Sequence, residues 1–119
     1  MDEAALLSVD VTRSSAPRAV IAAVTGELDF GTTSRLVSAL GDAPAEGCDV
    51  ILDLAGLTFC DSTALGTLVA LHKRVAEHGG RLFLTAVGRP VLDAITVTSL
   101  DRLLRIRPSV QAVNRELAA

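Results

Sequence analysis

Three features of the sequence predict an α/β fold built on a mixed, mostly parallel sheet. Compact apolar runs alternate with stretches whose apolar residues recur every three or four positions, the pattern of strands joined by crossover helices. Val50-Ile51-Leu52-Asp53-Leu54 is a compact apolar run with one charge near its end, as expected of a central strand covered on both faces. Only three residues are aromatic, Phe30, Phe59 and Phe83, so the core must be Leu, Val, Ile and Ala, which suits helices packed on a sheet. At 119 residues the chain is expected to form a single domain, 1–119, able to bury a core without metals or disulfides.

The opening runs, Leu6 to Thr12 and Arg18 to Thr25, read as two strands joined by a turn at Arg13-Ser14-Ser15-Ala16-Pro17. Gly26-Glu27-Leu28-Asp29-Phe30-Gly31 interrupts the strand pattern. Thr32 or Thr33 can then cap a short helix with the stripe Leu36, Val37 and Leu40, after which Gly41, Pro44 and Gly47 predict a surface loop. Beyond the strand at 50–54, Asp61-Ser62-Thr63 precedes Leu65, Leu68, Val69, His72, Val75 and Ala76 at helical spacing, predicting a helix from Thr63 to Glu77.

Gly79-Gly80 stops that helix, and Arg81 to Ala86 supplies the next strand. Pro90 suits the first turn of a helix carrying Val91, Leu92 and Ile95, with an early end at the poor helix formers Thr96, Val97 and Thr98. Leu103 to Ile106 reads as a last strand. Pro108-Ser109 then opens a helix with Val110, Val113 and Leu117 on one face. The predicted order is β-β-α-β-α-β-α-β-α, about five strands and four helices with right-handed crossovers and an antiparallel opening hairpin.

The absence of an apolar run of about 18 residues or a basic-then-apolar leader predicts a soluble, cytoplasmic protein with no membrane association. Cys48 and Cys60 lack paired metal or redox spacing and read as free, buried thiols. Residues 1–61 hold ten acids and three bases, and residues 62–119 hold eight bases and four acids, so the halves carry −7 and +4. The basic residues are scattered over several elements without interleaved aromatics, which argues against direct nucleic-acid binding.

No phosphate-cradling glycine motif or nucleophile elbow is present, so no cofactor and no enzymatic activity are expected. His72 and His78 lie six apart on a helix and do not form a metal pair; His72 on the apolar stripe reads as a satisfied core residue. Glu27, Asp29, Asp53 and Asp61 fall near predicted strand ends, where open α/β sheets bind ligands, but short carboxylates there also organise loops and cap helices.

Ser62 stands apart by position. It is a hydroxyl at a helix start after an apolar strand, where a phosphate would meet backbone N–H groups and the positive end of the helix dipole. Such a modification adds about −1.5 to −2 charges beside Asp61 without requiring a change of fold. Thr63 is a secondary acceptor, and an ordinary N-cap role for Ser62 fits the same position.

Phe59-Cys60-Asp61-Ser62-Thr63-Ala64-Leu65-Gly66, with its following helix and Gly79-Gly80, resembles the phosphorylation segment of bacterial anti-sigma factor antagonists, which are STAS domains. Gly26-Glu27-Leu28-Asp29, Val50 to Leu54 and Ser99-Leu100-Asp101-Arg102-Leu103 are similar to further motifs of that family, in the same order. Ala64 stands where the family usually has Gly, and Ile95 to Leu100 lacks a Gly often found there.

The resemblance implies the STAS fold and a partner-switching cycle in stress-responsive transcription. The unphosphorylated form would bind an anti-sigma factor with a GHKL-type kinase fold and free a sigma factor. Phosphorylation at Ser62 would end binding, and a PP2C-type phosphatase would restore it. Asp29, Asp61, Ser62, Thr63, Ala64 and Gly66 are the implied partner-binding residues, with no metal site. Two other readings are a non-switching STAS subunit of a stressosome or lipid-transport complex, and an enzyme or small-ligand binder using Asp29, Asp53 and Asp61.

Overall fold

The computed structural model describes residues 6–119; residues 1–5, included in the single-domain expectation, lie outside the described residues. Strand β1 (Leu7–Ser15) and strand β2 (Arg18–Leu28) pair antiparallel, from Leu7 opposite Gly26 to Ser15 opposite Arg18. Arg13, Ser14 and Ser15 therefore belong to the strand, and the predicted five-residue turn contracts to Ala16-Pro17. Strands β3 (Asp49–Cys60), β4 (Leu82–Thr85) and β5 (Arg105–Arg107) follow in parallel, giving the sheet order β1-β2-β3-β4-β5.

Alternation along the strands divides the interior. Val20, Ala22 and Val24 of β2, Val50, Leu52 and Leu54 of β3, and Leu82 and Leu84 of β4 join the main core. Helices α1 (Thr33–Leu40), α2 (Ser62–Glu77) and α3 (Arg89–Val97) cover it with Leu36, Leu40, Leu65, Leu68, Leu71, Val75, Val91 and Ile95. On the opposite face Ala19, Ile51 and Phe83 pack with Val113 of helix α4 (Val110–Ala118). The Arg81 and Arg107 guanidinium carbons lie 5.7 and 5.5 Å from the Phe83 ring centre, and Arg107 also pairs with Glu116 at 2.8 Å. These contacts tie α4 to the sheet edge through cation and ring as well as apolar burial.

Several boundaries differ from the sequence expectation for identifiable reasons. The Gly26 to Gly31 segment does not stop β2 at Thr25, because shifts in register near Ala23–Thr25 and Gly26–Glu27 absorb the irregularity and pairing resumes to Leu28. Gly26 has φ +111, and a Cβ there would collide with the Leu6 carbonyl oxygen, which accepts from Glu27 N–H at 2.7 Å. The partner strand β3 likewise continues past Leu54 to Cys60.

Between Gly41 and Gly47, a 3-10 turn at Ala43–Ala45 buries Ala43 and Pro44, correcting the expected surface loop. Val37 and Ala76 face solvent, while Leu71 is buried, so the apolar stripes are rotated from the predicted ones. Thr96 and Val97 continue α3, where Thr96 and Thr98 hydroxyls donate to the Leu92 and Ala94 carbonyls at 2.9 Å each. A 3-10 turn at Leu100–Arg102 follows, and the last strand begins at Arg105 instead of Leu103.

Candidate functional site at the ends of β2 and β3

Leu28 of β2 pairs with Cys60 of β3, so the two parallel strands end side by side. The residues that follow them, Asp29-Phe30-Gly31-Thr32 and Asp61-Ser62, are therefore brought together although about thirty positions separate them in the chain. This rim beyond the carboxyl ends of strands is where open α/β sheets place their sites.

Asp61 is the N-cap of α2, with φ −91 and ψ −177. Its Oδ1 accepts from Ala64 N–H at 2.8 Å, and its Oδ2 accepts from Phe30 N–H at 3.0 Å. One carboxylate thus closes a helix end and pins a separate loop. Asp61 N–H donates to the Leu28 carbonyl at 3.3 Å, joining the same segments a second time.

The pinned loop is internally braced. Asp29 Oδ1 accepts from Gly31 N–H at 2.9 Å, and its carbonyl accepts from Thr32 and Thr33 N–H at 3.1 and 3.0 Å. Thr32 is buried; its hydroxyl accepts from Asp29 N–H at 2.9 Å and donates to the Glu27 carbonyl at 2.8 Å. Thr32 occupies the N-cap position of α1, but its side chain fixes the loop instead of capping the helix.

Ser62 is exposed and is the first residue of α2, so the cap role considered for it belongs to Asp61. Among the described residues the Ser62 and Thr63 N–H groups have no acceptor, leaving the positive end of the helix open to solvent. Thr63 is exposed. Ala64 is not part of the outer face: it has no accessible surface, and its methyl packs in the main core, so its expected partner contact is corrected to a packing role. Gly66 is exposed, and a Cβ built there meets nothing within 4 Å.

A groove of about 470 Å³ lies beside this helix end, with Asp29, Phe30, Arg35, Phe59, Asp61 and Leu6 in its lining. Phe30 is 82 % exposed and Phe59 47 % exposed. These aromatics escaped sequence reasoning about the site, although two of the chain's three phenylalanines adjoin its acidic motifs. Between Phe59 and Asp61, burial first and the Asp61 charge second push the Cys60 thiol up to about 11, which keeps it protonated and unreactive near neutral pH.

The other candidate groups do not converge on the rim. Asp53 points to the opposite sheet face from Leu52 and Leu54, and its Oδ1 accepts from Ala55 N–H at 3.1 Å. The ligand-binding set Asp29, Asp53 and Asp61 is thereby split. Among the described residues no three His, Cys, Asp or Glu side chains are grouped to hold a metal ion. His78 donates from Nδ1 to the Arg74 carbonyl at 2.9 Å. His72 is half-buried, and its inaccessible Nδ1 lacks a hydrogen-bond partner among the described residues, contrary to the satisfied histidine expected. Among the described residues no helix is long and apolar enough to cross a membrane.

A sequentially ordered mixed sheet, with three helices on one face, a fourth on the other and an Asp-capped serine at the rim, defines a small α/β domain that presents a helix tip. The STAS domain family model matches residues 10–113, and the chain belongs to that family. An anti-sigma-B factor antagonist of Staphylococcus epidermidis is 29 % identical over 89 residues, which cover 74 % of this chain and 82 % of the relative. An anti-sigma factor antagonist from Mycobacterium paratuberculosis has the same fold, with a TM-score of 0.83 and 21 % identity over 100 % of both chains. The phosphorylated form of the Bacillus cell fate determinant SpoIIAA superimposes with a TM-score of 0.68 and 16 % identity, covering 91 % of this chain and 98 % of that one.

Proposed function

We propose that this protein is an anti-sigma factor antagonist that acts in the bacterial cytoplasm by binding, with no catalytic activity of its own. The unphosphorylated form binds an anti-sigma factor of the GHKL kinase fold, and the sigma factor held by that partner is released. The kinase then transfers the γ-phosphoryl group of its ATP to Ser62. The Ser62 Oγ–P bond forms as the bond to the departing ADP breaks, and the hydroxyl proton passes to a base on the kinase. A PP2C-type phosphatase hydrolyses the phosphoserine and restores the binding form.

The observation that carries this reading is the exposed Ser62 hydroxyl on the uncovered tip of α2, in a chain of the STAS family. The helix end is closed by Asp61 and packed underneath by Ala64, so a phosphate changes the outer charge and leaves the core alone. After transfer, the phosphoserine dianion faces the phosphates of the partner's own nucleotide, and like charge weakens the complex. The relatives' names as anti-sigma factor antagonists and the phosphorylated state of SpoIIAA support the same assignment.

Incubation with a purified GHKL-fold anti-sigma kinase and labelled ATP tests it. Wild-type protein and Thr63→Ala should incorporate one phosphate per chain, and Ser62→Ala none. A Ser62→Ala protein labelled like wild type would overturn the acceptor. Ser62→Asp should weaken binding to the kinase by at least about tenfold, and an unchanged dissociation constant would remove the electrostatic switch.

A further inference from the structure

Phenylalanine is scarce in this chain, and its placement is uneven. Phe83 is fully buried beneath α4, whereas Phe30 and Phe59 are exposed at one end of the molecule and line one groove. A ring that is 82 % exposed contributes little to the core, so Phe30 is not explained by folding. It is also held in place: Asp61 fixes its N–H, and Asp29 and Thr32 brace the residues on either side. A large apolar side chain presented on a pre-ordered loop loses little conformational entropy on binding, which is the character of an interface anchor.

The surroundings define the complementary surface. Glu27 is exposed, and Asp29 and Asp61 line the groove together with Arg35, so carboxylates outnumber cations around the two rings. We propose that Phe30 is the anchor residue of the partner surface, inserting its ring into an apolar cavity on the anti-sigma protein whose rim carries cationic side chains facing Glu27 and Asp29. Phe59 forms the floor on which the edge of that cavity rests. This rests on the partner-switching reading and deepens it: Ser62 sets when the partner binds, and Phe30 sets which partner binds.

The test is calorimetric titration of the full chain with each purified GHKL-fold anti-sigma kinase of the source organism, loaded with ADP. Phe30→Ala should weaken the wild-type complex about 30-fold or more, the loss that marks a hot spot, with an unchanged thermal midpoint. Raising salt from about 0.05 to 0.5 M should weaken the wild-type complex about tenfold. Affinity of Phe30→Ala within threefold of wild type overturns the anchor, and salt-independent affinity overturns the cationic rim. If Ser62→Asp abolishes binding while Phe30→Ala retains it, the anchor falls and the switch stands. If wild type binds none of these kinases, both fall. A dimer of this chain in sedimentation that Phe30→Ala disperses would give the patch to a second copy and likewise overturn the proposal.

Discussion

Helices α2 and α4 begin with the same chemistry and use it differently. Asp61 and Ser109 each adopt extended backbone and accept, through a side-chain oxygen, the N–H three residues on, at 2.8 Å from Ala64 and 3.1 Å from Ala112. Ser109 has one oxygen and one task, and Val110 after it packs against the minor core. Asp61 has two oxygens, one for the cap and one for Phe30 N–H, and the residue after it is an exposed hydroxyl. The comparison separates a cap that only closes a helix from one whose second acceptor also fixes a neighbouring loop beside an outward-facing helix tip.

Removing both functions of Asp61 gives the largest expected effect on stability. Asp61→Ala should cost about 2 to 3 kcal/mol in urea unfolding, the sum of a lost cap and a lost charge-assisted hydrogen bond. Asp61→Asn separates them: its amide oxygen can still accept from Ala64 N–H, but its NH₂ meets Phe30 N–H as donor against donor. A loss of about 1 kcal/mol is expected, with Phe30 N–H exchanging faster with solvent deuterium while Ala64 N–H stays protected. Equal losses for the two variants would mean that the cap contributes nothing beyond the loop link, and an Asp61→Asn protein as stable as wild type would mean that the loop link contributes nothing.

Ser109→Ala is the matched control and should cost about 1 kcal/mol, with no effect on the proposed phosphorylation of Ser62. Gly66→Ala should change stability in the other direction, adding up to about 1 kcal/mol, because the added methyl meets no atom and Ala is the better helix former. If the same variant weakens binding to the proposed kinase partner, the exposed glycine serves close approach of that partner; unchanged binding confines its role to the free chain.

The smallest effect belongs to His72. Burial first, then the Arg105 and Lys73 charges, lower its pKa from 6.5 in the folded chain. The unfolded chain therefore takes up this proton first, and stability should fall as pH drops below 6.5. His72→Leu should flatten that part of the stability profile measured by urea unfolding. Glu46 and Glu116, held low chiefly by hydrogen bonds from Arg13 and Arg107, act in a separate window: their contribution is present above 4.5 and is lost on further acidification.

The order of elements was legible because each helix and strand carries its own local period, and α2 was clearest since Asp61-Ser62-Thr63 announces its start. The ends of β2 and β3 were not, because the bulge around Gly26 keeps both strands paired through residues that read locally as a turn. Buried Ala43 and Pro44 were hidden for a similar reason, as loop-forming residues covered by packing that no local pattern records. At the candidate site, Ser62 stands out by its place at a helix start, whereas Asp29 is singled out through the resemblance of Gly26-Glu27-Leu28-Asp29 to a family motif. The bond from Phe30 to Asp61 spans thirty-one residues and exists only because β2 and β3 lie side by side. Local periodicity carries no trace of it, so the exposed aromatic groove that it organises could not be anticipated.

The doubly engaged carboxylate of Asp61 also has a kinetic consequence. Loop and helix tip are joined by hydrogen bonds to one side chain, so on the proposed function docking is expected to need no prior rearrangement of this chain. Complex formation should then proceed at the orientation-limited pace of pre-shaped proteins, about 10⁵ to 10⁷ M⁻¹s⁻¹, without a slow second phase. Changes in affinity produced at this surface should show up as shorter or longer residence of the bound partner.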